Sequence, residues 1–101
     1  MARRHLIKDT IEDRLMATYR TVDNPFDNRP CFECDGLYFK IDTMGADFDG
    51  VVVEYADGAG EAEHNLFEDG DLFSVSEYED DEKMIADVIK EIEREIKRSQ
   101  G

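Results

Sequence analysis

The side chains with the widest chemical reach in this 101-residue sequence are two cysteines, two histidines and a crowd of carboxylates. Cys31-Phe32-Glu33-Cys34 has the spacing of half a zinc site or of a redox pair. A structural zinc takes four ligands, usually two such pairs or one pair with two His. Here the other soft ligands are His5 and His64, far apart in the chain. A thioredoxin-like pair sits at the start of a helix, whereas Cys31 opens an extended run. Two ordinary reduced thiols near a turn are expected. Asp47-Phe48-Asp49-Gly50 begins like a calcium loop, which needs oxygen ligands at positions 1, 3 and 5, Gly at 6 and Glu at 12. Counting from Asp47, those later places hold Val51, Val52 and Gly58, so the pattern fails. Glu68-Asp69-Gly70-Asp71 likewise has no completing ligand set. Paired carboxylates do acid–base work only when one is desolvated enough to stay protonated, and these acids lie among glycines and polar residues. His64 has no assignable nucleophile. No GxSxG, HExxH, P-loop or Gly-rich dinucleotide motif occurs. No enzyme activity, metal or cofactor is expected.

The carboxylates matter as a field. Between Ile41 and Glu82 there is no Lys or Arg, and Asp42, Asp47, Asp49, Glu54, Asp57, Glu61, Glu63, Glu68, Asp69, Asp71, Glu77, Glu79, Asp80, Asp81 and Glu82 all fall there. The flanking segments are nearly balanced, so this stretch carries the whole net charge of −14. Such a field repels nucleic acid and anionic membrane and attracts cationic surfaces. The basic residues are scattered and form no patch that would offset it. Solubility is the simplest reading of a charge run, but surfaces serving solubility alone mix their signs. The acids also interleave with Val51–Tyr55, Leu66-Phe67 and Leu72–Val75, so a folded sheet is expected to fix them in place. Same-face residues on a strand recur every ~6.8 Å, and duplex DNA carries one charge per ~1.7 Å of axis. Rows of fixed acids therefore suit the Lys/Arg grooves that track phosphates.

The elements that hold these groups follow from periodicity. Ile7, Ile11 and Leu15, extended by Tyr19, predict a helix from about Arg4 to Arg20. It ends before Asp23-Asn24-Pro25, because the residue before Pro avoids the helical region. After a loop to Pro30, Cys31–Cys34 and Leu37–Ile41 flank Asp35-Gly36, the signature of a two-residue hairpin turn with positive φ at both positions. Leu37, Phe39 and Ile41 share one face, with Tyr38 and Lys40 on the other. A turn is expected over Gly45–Gly50, then a β-branched strand over Val51–Ala56. A further extended segment falls within Glu63–Val75, interrupted at Asp69-Gly70-Asp71. Ile85, Val88, Ile89, Ile92 and Ile96 predict a last helix over about Asp80–Arg98, capped by a Ser76/Glu79 capping box or by Asp80 or Asp81. Acids at its start and Lys97 and Arg98 at its end suit the macrodipole. The sum is one α+β domain over 1–101: a small antiparallel sheet of three to four strands, in the order α–β–β–β–α, covered by an N-terminal and a C-terminal helix. No apolar run approaches a membrane span. Met1-Ala2-Arg3-Arg4-His5 is followed by no apolar signal segment, and two Cys are too few for a disulfide scaffold. A cytoplasmic protein is expected.

Glu77-Tyr78-Glu79-Asp80-Asp81-Glu82, leading into the apolar helix Met84–Ile96, resembles the acidic strand-to-helix region of small phage anti-CRISPR proteins. The order of elements is similar as well. The resemblance implies an inhibitor whose acids stand in for DNA against the Arg/Lys groups with which a Cas9-type effector reads its PAM duplex. A weaker resemblance is to immunity proteins, which neutralise bacterial nuclease toxins. Both imply one physical mechanism: preorganised carboxylates meeting a cationic groove, with steered association. An acidic assembly module of a mobile element is the reading from a different class. The partner is expected to be a basic protein, a nuclease or CRISPR effector. Expected contacts are Asp47, Asp49, Glu54, Glu61, Glu63, Glu68, Asp69 and Asp71 on sheet and turns, and Glu77, Glu79, Asp80, Asp81 and Glu82 at the helix start. Tyr55, Tyr78 and Phe67 are the candidate aromatic anchors.

Overall fold

A computed structural model describes residues 3–26, 29–43 and 49–100. Helix α1 spans Arg3–Thr18 and α3 spans Asp81–Gln100, each within two residues of the span its apolar stripe predicts. Among the described residues five antiparallel strands lie between them: β1 (Arg20–Val22), β2 (Cys31–Cys34), β3 (Leu37–Thr43), β4 (Gly50–Ala56) and β5 (Glu68–Ser74). They form one meander in chain order, β1-β2-β3-β4-β5. A short helix α2, Ala59–Glu63, precedes β5.

The α+β class holds, and the expectation of three to four strands is corrected to five. The added strand is β1, whose three residues pair in register with Glu33, Phe32 and Cys31. It is too short and too polar to show alternation. The expected break at Asp69-Gly70-Asp71 is also corrected. The β5 ladder runs on, with a register shift opposite Val52–Glu54. Pairs Val52↔Leu72 and Glu54↔Asp69 leave Gly70 and Asp71 together opposite Val53, which is a β-bulge. The order α–β–β–β–α becomes α–β–β–β–β–α–β–α.

Asp35 (φ 51) and Gly36 (φ 91) both take positive φ, as the predicted hairpin requires. The Glu33 carboxylate accepts the Gly36 N–H at 2.9 Å and pairs with Arg20 at 3.0 Å. Together these hold its pKa below the usual carboxylate range, the Gly36 bond contributing most. A depressed pKa adds stability that is present above the ordinary carboxylate range and lost as pH falls through the folded value. Glu33→Gln is therefore expected to lower Tm at neutral pH and to leave it unchanged in acid. An equal fall at both pH values would rule out this electrostatic origin.

The core lies between one sheet face and the two long helices. Ile7, Ile11 and Leu15 of α1 and Met84, Ile85, Val88, Ile92 and Ile96 of α3 close on Phe32, Leu37, Phe39, Ile41, Val51 and Val53. The second face is covered too. Cys31, Lys40, Val52 and Ala56 point away from the long helices and are buried. Lys40 Nζ donates to Asn65 Oδ1 at 3.0 Å and sits 4.3 Å from the Phe67 ring centroid, which pins the segment after α2 to this face. The capping box does not form. Ser76 instead shares a hydrogen bond with Ser74, and Asp80 Oδ1 accepts the Glu82 N–H at 3.1 Å, making Asp80 the cap.

The bulge has a steric requirement. A Cβ on Gly70 would lie 2.5 Å from Tyr55 Cε2 and 3.0 Å from the Val53 carbonyl oxygen. Gly70→Ala is expected to cost about 1–3 kcal/mol. Gly60→Ala, in α2 with open space around it, is expected to be neutral or slightly stabilising. Comparing their melting temperatures tests the assignment, and equal values would refute it.

Candidate anionic interface

The expected contact residues separate into those cancelled within the fold and those left open. Arg4 pairs with Asp49 at 3.1 Å, and Arg29 pairs with Glu54 and, at 3.5 Å, with Asp42. Arg3 pairs with Asp81, and one Arg14 nitrogen reaches both Glu82 oxygens at 2.9 Å. Four expected contact acids, Asp49, Glu54, Asp81 and Glu82, are thus matched by arginines of α1 and of the loop before β2. Asp47 lies outside the described residues. At the start of α3, Glu77 and Glu79 are exposed without an ion pair among the described residues, and Asp80 spends one oxygen on its cap.

The larger open group, Glu68, Asp69 and Asp71, lies along a groove of about 520 Å³ between the β4–β5 edge and the C-terminal half of α3. Asp57, Glu61, Glu68, Asp69, Asp71, Glu91 and Glu95 line it, against Arg98 as its one cation among the described residues. Glu61 accepts the Asp57 N–H at 2.8 Å, which fixes the turn into α2. Glu91 and Glu95 pair with Arg94 and Arg98, each at 2.8 Å. Glu68, Asp69 and Asp71 are exposed and make no ion pair among the described residues. Glu63 is exposed but lines a different pocket of about 310 Å³ on the second sheet face, beside Phe26, Tyr38 and Phe67.

The three aromatic candidates all have work inside the fold. Tyr55 packs on Phe39 with ring centroids 6.4 Å apart, and its hydroxyl is buried at the groove wall without a hydrogen-bond partner among the described residues. Burial, reinforced by Glu95, Glu91 and Asp71, pushes that hydroxyl's pKa up. Tyr78 donates to Asp87 at 2.9 Å. Burial and this carboxylate push its pKa up to about 12. Phe67 lies under Lys40.

Asp57, Glu91 and Glu95 are groove residues absent from the contacts expected above. Glu91, itself buried, and the half-buried Glu95 stand four apart beside the buried Ile92 and Ile96. Such spacing puts them on one side of α3, but only the packing of α3 against the sheet directs that side toward β5. Among the described residues no group of three or more His, Cys, Asp or Glu is placed to hold a metal ion. No described helix is long and apolar enough to cross a membrane.

Carboxylates this close repel one another. Added salt screens that repulsion and also weakens the exposed ion pairs, each worth only about 0–1 kcal/mol. With a net charge of −14 the repulsion dominates. Melting temperature is expected to rise as NaCl increases from low to physiological strength; a fall would mean the internal ion pairs matter more.

No protein-family model, curated protein or solved structure matches the chain.

Proposed function

We propose that the protein is an acidic inhibitor that occupies the cationic nucleic-acid-binding surface of a nuclease, its carboxylates taking the place of DNA phosphates. The observation that carries this reading is the groove: carboxylates from β5, α3 and the turn into α2 converge on one side, and Glu68, Asp69 and Asp71 have no paired cation among the described residues. Charges already fixed by a fold cost little ordering on binding, and they steer a cationic partner during encounter. The start of α3 is a second, weaker part of the surface, because Arg3 and Arg14 cancel Asp81 and Glu82. By the resemblance of its acidic strand-to-helix region, the first target is a CRISPR effector and the second a bacterial nuclease toxin.

The test is competition. Increasing protein is titrated into a guide-loaded Cas9-type effector with duplex DNA, and separately into a nuclease toxin domain with its DNA substrate, at low and at physiological salt. Displacement of DNA from one of the two, weakening as salt rises, is expected. Failure to displace DNA from either would sink the reading. Displacement indifferent to salt would place recognition on an apolar surface instead.

A further inference from the structure

The geometry points to the mode of binding: we infer that β5 accepts an extended Lys/Arg-rich segment of the partner as a sixth strand. This rests on the cationic-partner reading above. β5 ends the sheet, and among the described residues no strand pairs with its outer side. An unpaired edge presents a row of backbone N–H and C=O groups that an extended chain can bond. The opposite edge, β1, is three residues long, whereas β5 has seven.

Charge selects the occupant. Pairing in β4–β5 puts Glu68, opposite Tyr55, and Phe73, opposite Val51, on the side of the long helices. The bulge adds Asp71 to that side, and Glu91 and Glu95 of α3 line the same groove. Asp69 and Leu72 pair opposite Glu54 and Val52 of the other face; Asp69 still borders the groove at the sheet edge, which leaves Leu72, 53% exposed, as the apolar residue of that face. A chain alternating basic and apolar residues therefore suits the edge. Its cations face the carboxylates of the groove, and its apolar residues lie beside Leu72. A second copy of this protein does not suit it, because pairing β5 with β5 sets like charges across the strands. Charged residues and a bulge also protect an edge from non-specific pairing. Protection needs charge on the strand alone, whereas here α3 and the turn into α2 bring carboxylates to the same groove.

The probe is the synthetic peptide acetyl-KVKVKVK-amide, with two analogues N-methylated on the backbone at all Lys or at all Val positions. Methylation keeps the charge and removes the N–H groups from one side of the strand. Amide shifts and slowed hydrogen exchange over Glu68–Ser74 are expected with the parent peptide, and at least a tenfold weaker Kd for one of the two analogues. If both analogues bind like the parent, or the shifts are confined to Glu77–Glu82, charge alone is at work. Strand addition is then overturned, while the inhibitor reading stands. No binding by the parent peptide overturns strand addition too, and the DNA competition assay decides the inhibitor reading separately. Concentration-dependent protection of β5 without peptide would mean that a second copy covers the edge, which also overturns the inference.

Discussion

Phe39→Ala is expected to destabilise the domain by about 3–5 kcal/mol, the usual cost of emptying a buried aromatic site. Phe39 is fully buried in the central strand. It meets Tyr19 edge-on at 5.4 Å, Phe32 at 5.8 Å and Tyr55 at 6.4 Å between ring centroids. Its loss removes contacts to Tyr19 just after α1, to β2 and to β4 together, and no neighbour can fill the space without leaving its own. Small domains are stable by only about 5–15 kcal/mol, and a charge of −14 works against the compact state. A Tm drop on the order of 15 °C or more is expected for a domain of this size, read by circular dichroism. Phe26→Ala is the control: Phe26 is 48% exposed, and a change within about 0.5 kcal/mol is expected. Equal effects from the two variants would refute the core as described.

The double reversal Asp69→Lys/Asp71→Lys is expected to slow association with the inhibited nuclease by about 10- to 100-fold at low salt, within the range electrostatic steering supplies. Both side chains are exposed on an edge strand and make no ion pair among the described residues. Their reversal breaks no contact of the core and relieves some self-repulsion, so Tm is expected to hold or rise slightly. Reversal of Asp81 and Glu82 provides the contrast. These acids are held by Arg3 and Arg14, so that pair of changes is expected to lower stability more and association less. Stopped-flow mixing at several salt concentrations, with melting curves on the same samples, separates the two effects. If the Asp69/Asp71 variant associates as fast as the parent, β5 is not the contact surface.

Much of this architecture can be read locally. The stripes Ile7–Ile11–Leu15 and Ile85–Val88–Ile92–Ile96 set the helices, because burying one face of a helix demands that period. Asp35-Gly36 set the hairpin, because its turn demands positive φ at two adjacent residues. The concentration of net charge between Ile41 and Glu82 is a property of composition that no fold alters. These were settled by the sequence itself.

Which charges survive as an outward field was decided only by tertiary structure. Arg3, Arg4 and Arg14 cancel Asp81, Asp49 and Glu82 across separations of 78, 45 and 68 residues. Nothing local to either partner announces those pairs, because ion pairing depends on distance in space and not along the chain. β1 forms because β2 offers it a ladder: Thr21 and Val22 suit extension, but three residues are too short to announce a strand. Gly70 sits in a bulge and not a break because pairing with β4 resumes on both sides of it, and only glycine fits there because the ring of Tyr55 occupies the space a side chain would need. The groove exists because α3 packs with Glu91 and Glu95 toward β5, an orientation fixed by its apolar face closing on the sheet.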